Sequence, residues 1–268
     1  MARVTGKHVT GVLGPVTLRR YRKKQTMSIR SGEKIKQTVA TKKCSSTFGK
    51  ANMLVQSVRS RFAPYTRDFC DGTMYNRMNS VMSMIFYESI DTETMEFSFT
   101  KKSFDKLSGF DFNIKSPLIH SLRVKPEVSL DEHDIVIKMD ELKIPVQLKF
   151  PAKSQFCKIT FSIVLYRLKE ALMIDIPEEQ SLVISKNQKV FEAQEFRFRV
   201  PAGCLCLLGC FLDFYCNSGE FQLLQNNEVF NPAAILSALI STGEYQKIDN
   251  RRWRKMPGLD WKPRRNRY

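Results

Sequence analysis

Acidic residues are nearly missing from the first quarter of the chain: Glu33 stands alone against 16 lysines and arginines in residues 1–67. A segment of that composition cannot neutralise itself, which excludes an ordinary surface of interleaved ion pairs and leaves its cations for a partner. Catalytic signatures are missing as well. There is no G-x-G-x-x-G, no P-loop, no G-x-S-x-G and no H-E-x-x-H, which removes the common dinucleotide, NTPase, serine-hydrolase and zinc-protease readings. The three histidines (His8, His120, His133) are far apart and match no catalytic spacing, and Asp131-Glu132-His133-Asp134 reads as a solvated turn. No enzyme and no cofactor is therefore expected. The N-terminus has no apolar core of about 7–15 residues, so no secretory signal is read. The apolar run 204–216 is broken by Asp213 and is too short to span a bilayer. Seven cysteines are an odd count, which suits free thiols in a reducing cytoplasm, or inside an assembled particle, better than a disulfide framework.

What is present is a charge asymmetry. The net charge is +16, yet residues 247–268 hold nine of the basic residues against two acids, and the stretch 68–246 is net acidic by six. A mildly acidic body with two basic ends points to a polyanion: nucleic acid, an anionic membrane or an acidic partner.

The fold class reads as α+β, mainly β, in four parts. Residues 1–43 alternate in a strand-like way around Gly11–Pro15 and form a basic hairpin or short meander, which must pack on something or order on binding; a disordered basic arm is the alternative. Residues 44–92 read as an antiparallel helix pair. The first helix is capped by Ser45 or Ser46, carries the stripe Phe48, Ala51, Val55, Val58, Phe62 and stops before Pro64; the second starts near Asp71 with Tyr75, Met78, Met82 and Ile85. Methionines at 74, 78, 82 and 84 read as core filler at helical spacing. Residues 93–245 form an antiparallel β-sandwich or jelly-roll-like body. Its strands are expected at 95–99, 110–114, 135–139, 144–150, 156–168, 181–185, 195–200, 204–216 and 220–224, with 232–240 a short closing helix. The central runs 156–168 and 204–216 place Phe161, Ile163, Leu165, Leu205, Leu207 and Phe211 inside. Residues 246–268 are a basic tail that holds both tryptophans, Trp253 and Trp261.

Cys204, Cys206, Cys210 and Cys216 share strand parity, but a straight apolar run is not a pair of zinc knuckles, so they read as small buried hydrophobes and no metal is expected. The candidate nucleic-acid or polyanion contacts are Arg19, Arg20, Tyr21, Arg22, Lys23, Lys24 and Arg30 in the arm. In the tail they are Arg251, Arg252, Trp253, Arg254, Lys255, Trp261, Arg264, Arg265 and Arg267. Their cations supply counterion-release affinity, and their aromatics offer stacking on bases. The chain thus reads as a non-enzymatic polyanion-binding or scaffold protein. The alternative is a structural subunit of a phage-type particle or other multi-subunit assembly, whose arms reach neighbouring copies or an acidic protein partner.

The opening Met1-Ala2-Arg3, Gly11 and Gly14, the hairpin ending in Tyr21, Arg30-Ser31-Gly32, Phe48-Gly49-Lys50-Ala51, Val58-Arg59 and the run from Leu107 to Asn113 resemble a family of uncharacterised Bacteroidota proteins of similar length. The likeness covers most of the chain and is best over the first 115 residues. It implies a bacterial, non-secreted origin and the order arm, helices, sandwich, and it carries no activity. This chain departs from the family in the extra basic charge at Arg19-Arg20 and the tail, and in its cysteines.

Overall fold

The structure, a computed structural model, describes residues 2–21, 24–30, 37–219, 221–245 and 251–259, with only the backbone of Tyr21. It divides into two compact units, Met1–Ser45 and Ser46–Tyr268, with the boundary inside the first helix.

The first unit is a four-stranded antiparallel meander, β1 (Arg3–Thr5), β2 (His8–Leu13), β3 (Val16–Tyr21) and β4 (Lys24–Ile29), paired in that order. It has one strand more than the sequence pattern suggests. Gly6 and Gly14 start the turns from β1 to β2 and from β2 to β3 at φ 60° and 55°, a backbone region that the right-handed twist of a hairpin demands and that side chains resist. The Gln25 side chain ties β4 back to β2: its Oε1 accepts the Val9 amide at 3.0 Å and its Nε2 donates to the Val9 carbonyl at 2.7 Å. No described residue of this unit is buried. Its order rests on backbone pairing and such clamps rather than on a core.

The second unit begins with α1 (Val39–Thr66) and α2 (Met74–Ser89). Two starts and stops differ from expectation. Thr38, not Ser45 or Ser46, caps α1, its Oγ1 accepting the Thr41 amide at 3.1 Å. The helix also runs through Pro64 to Thr66, the proline two residues from its end removing one hydrogen bond of the last turn. Ala51, Leu54, Val55, Val58 and Phe62 are buried, whereas Phe48 is half exposed. The helices are antiparallel: Arg59 lies over the Tyr75 ring, and Asn52 further back accepts from Asn79 at 3.1 Å.

Next come β5 (Phe110–Asp111), α3 (Leu118–Ser121), β6 (Glu127–Asp131), β7 (Asp134–Met139), β8 (Leu142–Lys143), β9 (Phe156–Arg167), β10 (Leu172–Ile174), β11 (Glu178–Ser185), β12 (Val190–Phe191), β13 (Gln194–Arg199), β14 (Leu205–Ser218), β15 (Phe221–Leu224), β16 (Ala233–Ile240) and β17 (Trp253–Lys255). The main sheet is ordered β17-β10-β9-β14-β16-β5, with β11 also on β9 and β15 also on β14; β13-β7-β6 and β12-β8 form smaller sheets. The fold is thus α+β, mainly antiparallel β.

Register sorts the two long central strands by face. Phe161 pairs Cys210 and Ile163 pairs Leu208, and Phe161 meets Phe196 of β13 at 4.9 Å, so these residues face the smaller sheet. Thr160 pairs Phe211 and Ser162 pairs Gly209 on the opposite face, where Phe62 of α1 lies 5.5 Å from Phe211 and 5.7 Å from Phe112. Gly209 makes that approach possible, because a Cβ there would stand 2.6 Å from Phe211 Cζ and 3.2 Å from Phe62 Cε1. The helix pair is therefore no separate layer: α1 shares one continuous core with the sheet.

Four further expectations fail locally. Residues 233–240 form strand β16 beside β14 rather than a helix, because a buried sheet edge outweighs the helix propensity of its Ala and Leu residues. Residues 144–150 are turns with one bridge, Leu122 to Leu148, and 95–99 form only the bridge Ile90 to Phe97. Finally, residues 251–259 are not a free tail. β17 pairs β10 at the end of the main sheet, and Met256 and Leu259 are buried.

Candidate polyanion interface

In the N-terminal unit the register pairs Tyr21 with Lys24, Arg20 with Gln25 and Arg19 with Thr26. Arg19, Arg20, Lys24 and Arg30 are all exposed, as are Arg3 and Lys7. Among the described residues none of these six forms an ion pair, so each charge is solvated and available. Arg22 and Lys23 lie outside the described residues. Val4, Leu13, Met27 and Ile29 of the same unit are also exposed, Ile29 to 85%.

The C-terminal candidates behave differently. The Arg251 Nε donates to Glu178 at 2.6 Å and its Nη2 to the Arg199 carbonyl at 2.6 Å. Arg252 and Arg254 each lie 3.4 Å from a carboxylate oxygen of Asp175. Trp253 is half-buried, edge-on to Tyr245 at 6.1 Å, with the Arg167 guanidinium 3.4 Å from the Tyr245 ring centre. These residues fasten a strand to the body, and only Lys255 is exposed without such a role. Trp261, Arg264, Arg265 and Arg267 lie outside the described residues. Sequence alone missed this docking because Asp175 and Glu178 are more than seventy positions away, a long-range pairing with no local pattern.

A cleft of about 500 Å³ opens where α1 ends and α2 begins, lined among others by Gln56, Arg59, Ser60, Asp68, Cys70 and Tyr75. Asp71 there accepts from the Thr73 amide at 2.7 Å, the Ile114 amide at 3.2 Å, the Thr73 hydroxyl and Arg77. Burial pushes its pKa up, but these donors outweigh burial and hold it at about 2. Such a carboxylate is too weak a base for proton abstraction near neutral pH. Burial raises the Cys70 thiol above its ordinary value, which disfavours the nucleophilic thiolate.

Cys157, Cys206 and Cys210 sit in the core, and burial pushes all three thiols well up. Among the described residues no three His, Cys, Asp or Glu side chains are placed to share a metal ion. Purified protein is expected to hold no stoichiometric zinc, and a chelator should leave its melting unchanged. Elemental analysis showing about one zinc per chain, with loss of structure on chelation, would overturn that expectation.

No described helix is long and apolar enough to cross a membrane. No protein-family model, no curated protein and no solved structure matches the chain.

Proposed function

We propose that this chain is a non-enzymatic nucleic-acid-binding scaffold protein whose N-terminal meander makes the phosphate contacts. The observation that carries the reading is the set Arg19, Arg20, Lys24 and Arg30: exposed, unpaired with any carboxylate among the described residues, and in a unit whose one acid is Glu33. Lys and Arg so placed bind phosphates by counterion release without reading sequence. The C-terminal contribution is narrower than charge alone implies, because Arg251, Arg252 and Arg254 already have acidic partners.

The test is fluorescence anisotropy of nuclease-treated, full-length protein with short labelled DNA and RNA across a salt series. Neutralising about six phosphates gives a log–log slope of roughly −5 on duplex DNA, independent of sequence. Changing Arg19, Arg20 and Lys24 together to Glu should flatten that slope by about three units. Truncation after Leu259 should flatten it too while sparing β17. A cut at residue 251 would remove a strand of the sheet and is not a clean test. Absence of binding at low salt would end the nucleic-acid reading.

A second reading, a structural subunit of a particle or other assembly, is favoured by the exposed Val4, Leu13, Met27 and Ile29. A sheet that buries nothing of its own gains stability when a neighbour covers such residues.

A further inference from the structure

Two sheet edges of this chain complement each other, one basic and one acidic. β4 closes one side of the meander and β6 closes one side of the sheet β13-β7-β6, and among the described residues no strand pairs beyond either. In β4 the backbone alternates in direction. The Arg30 amide donates to the Pro15 carbonyl at 2.7 Å, so even-numbered residues turn toward β3 while Gln25, Met27 and Ile29 present N–H and C=O outward. In β6 the two-residue turn after Asp131 makes Asp131 and Asp134 a hydrogen-bonded pair, which leaves Val128 and Leu130 as the outward-presenting residues.

The side chains alternate to match. Lys24, Thr26, Ser28 and Arg30 share one face of the meander, and Met27 and Ile29 share the other, where they are 70% and 85% exposed. On β6, Glu127, Ser129 and Asp131 form an exposed acidic row, while Val128 and Leu130 are half-buried on the opposite side and pack against the core. Laid antiparallel, one register joins the two edges: Ile29 opposite Val128, Ser28 opposite Ser129 and Met27 opposite Leu130. The outward backbone groups then meet as hydrogen-bonded pairs, and Met27 and Ile29 lengthen the apolar row of β6. Arg30 comes to stand opposite Glu127, a cross-strand pair of opposite charge. Glu127 already has Lys138 across from it in β7, and Asp131 lies 4.0 Å from Arg197, so each carboxylate would gain a second cation rather than a first.

Met27 and Ile29 are uncovered within their own chain, so the β6 edge that receives them belongs to another copy. Charge selects the body of that copy rather than its meander. Two meanders edge to edge would set one strongly basic unit against another, whereas residues 68–246 are net acidic by six. We propose that β4 of one copy adds to the β6 edge of the next copy's body and so joins copies head to tail. The proposal rests on the second reading above, a subunit of an assembly, and names its contact. The two patches differ, so the contact is heterologous and repeats into a ring or an open filament. A strand of five residues makes a small interface, so association depends on concentration.

The experiment is sedimentation velocity with light scattering on nuclease-treated, full-length protein over a concentration series, with circular dichroism melts to show that each variant is folded. Wild type is expected to rise above the single-chain mass of 31.1 kDa as concentration increases. Met27→Pro deletes an outward amide while sparing the β3–β4 ladder, and should return the protein to the single-chain mass. Arg30→Glu and Glu127→Arg should each weaken association by about tenfold, and the double reversal should restore it. Single-chain mass for wild type at every concentration would overturn the contact and the assembly reading together. Association that survives Met27→Pro and both reversals unchanged, or single reversals that the double variant does not rescue, would overturn the contact alone and leave assembly to another surface.

Discussion

Ile163→Asp is expected to leave no folded protein. Ile163 has no solvent exposure; it lies mid-way along β9, paired with Leu208 of β14 on one side and Glu178 of β11 on the other. Its side chain points to the face covered by the smaller sheet, the face on which Phe161 meets Phe196. A carboxylate there loses its hydration, a cost of several kcal/mol for the charge alone. Loss of the isoleucine packing adds about 2–5 kcal/mol, and together these consume a typical stability of about 5–15 kcal/mol. The measurement is soluble yield and the cooperative melt by circular dichroism. Ile163→Val, which removes one methyl group, should lower stability by only about 0.5–1.5 kcal/mol and serves as the control for expression. A soluble Ile163→Asp protein that melts like wild type would mean that β9 does not run through the core.

That β9 and β14 form the centre was legible because each is a run of apolar residues without polar alternation, as strands buried on both faces require. The runs read at 156–168 and 204–216 are the observed Phe156–Arg167 and Leu205–Ser218. Phe161, Ile163, Leu165, Leu205, Leu207 and Phe211 are all buried as expected. The stretch Ala233–Ile240 was illegible for the same physical reason: with both faces covered it too lacks alternation, and its Ala and Leu content then reads as helix. The interface was half legible. Glu33 as the one acid among the first 67 residues marks the meander's cations as unpaired, and composition suffices for that. Nothing local to Arg251, Arg252 and Arg254 says that Glu178 and Asp175 receive them. Nor does the i, i+4 spacing of Ser57, Arg61 and Tyr65 reveal that this polar row turns inward; on most helices such a row faces water.

Asp71→Ala is expected to produce the other large loss, with a pH dependence that identifies its cause. The Asp71 side chain is 4% exposed and joins the start of α2 to Arg77 and to the backbone of Ile114. Removing it leaves the Arg77 guanidinium, 4.7 Å from the Phe110 ring, with the Asp111 carbonyl but no carboxylate, and leaves the Thr73 and Ile114 amides without acceptors. Breaking a buried pair in this way costs about 3–5 kcal/mol, or a fall in Tm of roughly ten degrees. The ionised share of this follows from linkage. The folded pKa, about 2, lies below the ordinary 3.8. A depressed folded pKa contributes stability that is complete above the unfolded value and fades as the pH falls through the folded one. That share is on the order of 2 kcal/mol at neutral pH. Melts of wild type and Asp71→Ala from pH 7 down to the lowest pH at which wild type still unfolds cooperatively should therefore run parallel above about pH 5 and converge below about pH 4. Curves that stay parallel to the acid limit would show that Asp71 acts through shape and neutral hydrogen bonds, and that its charge contributes nothing to joining α2 to the sheet.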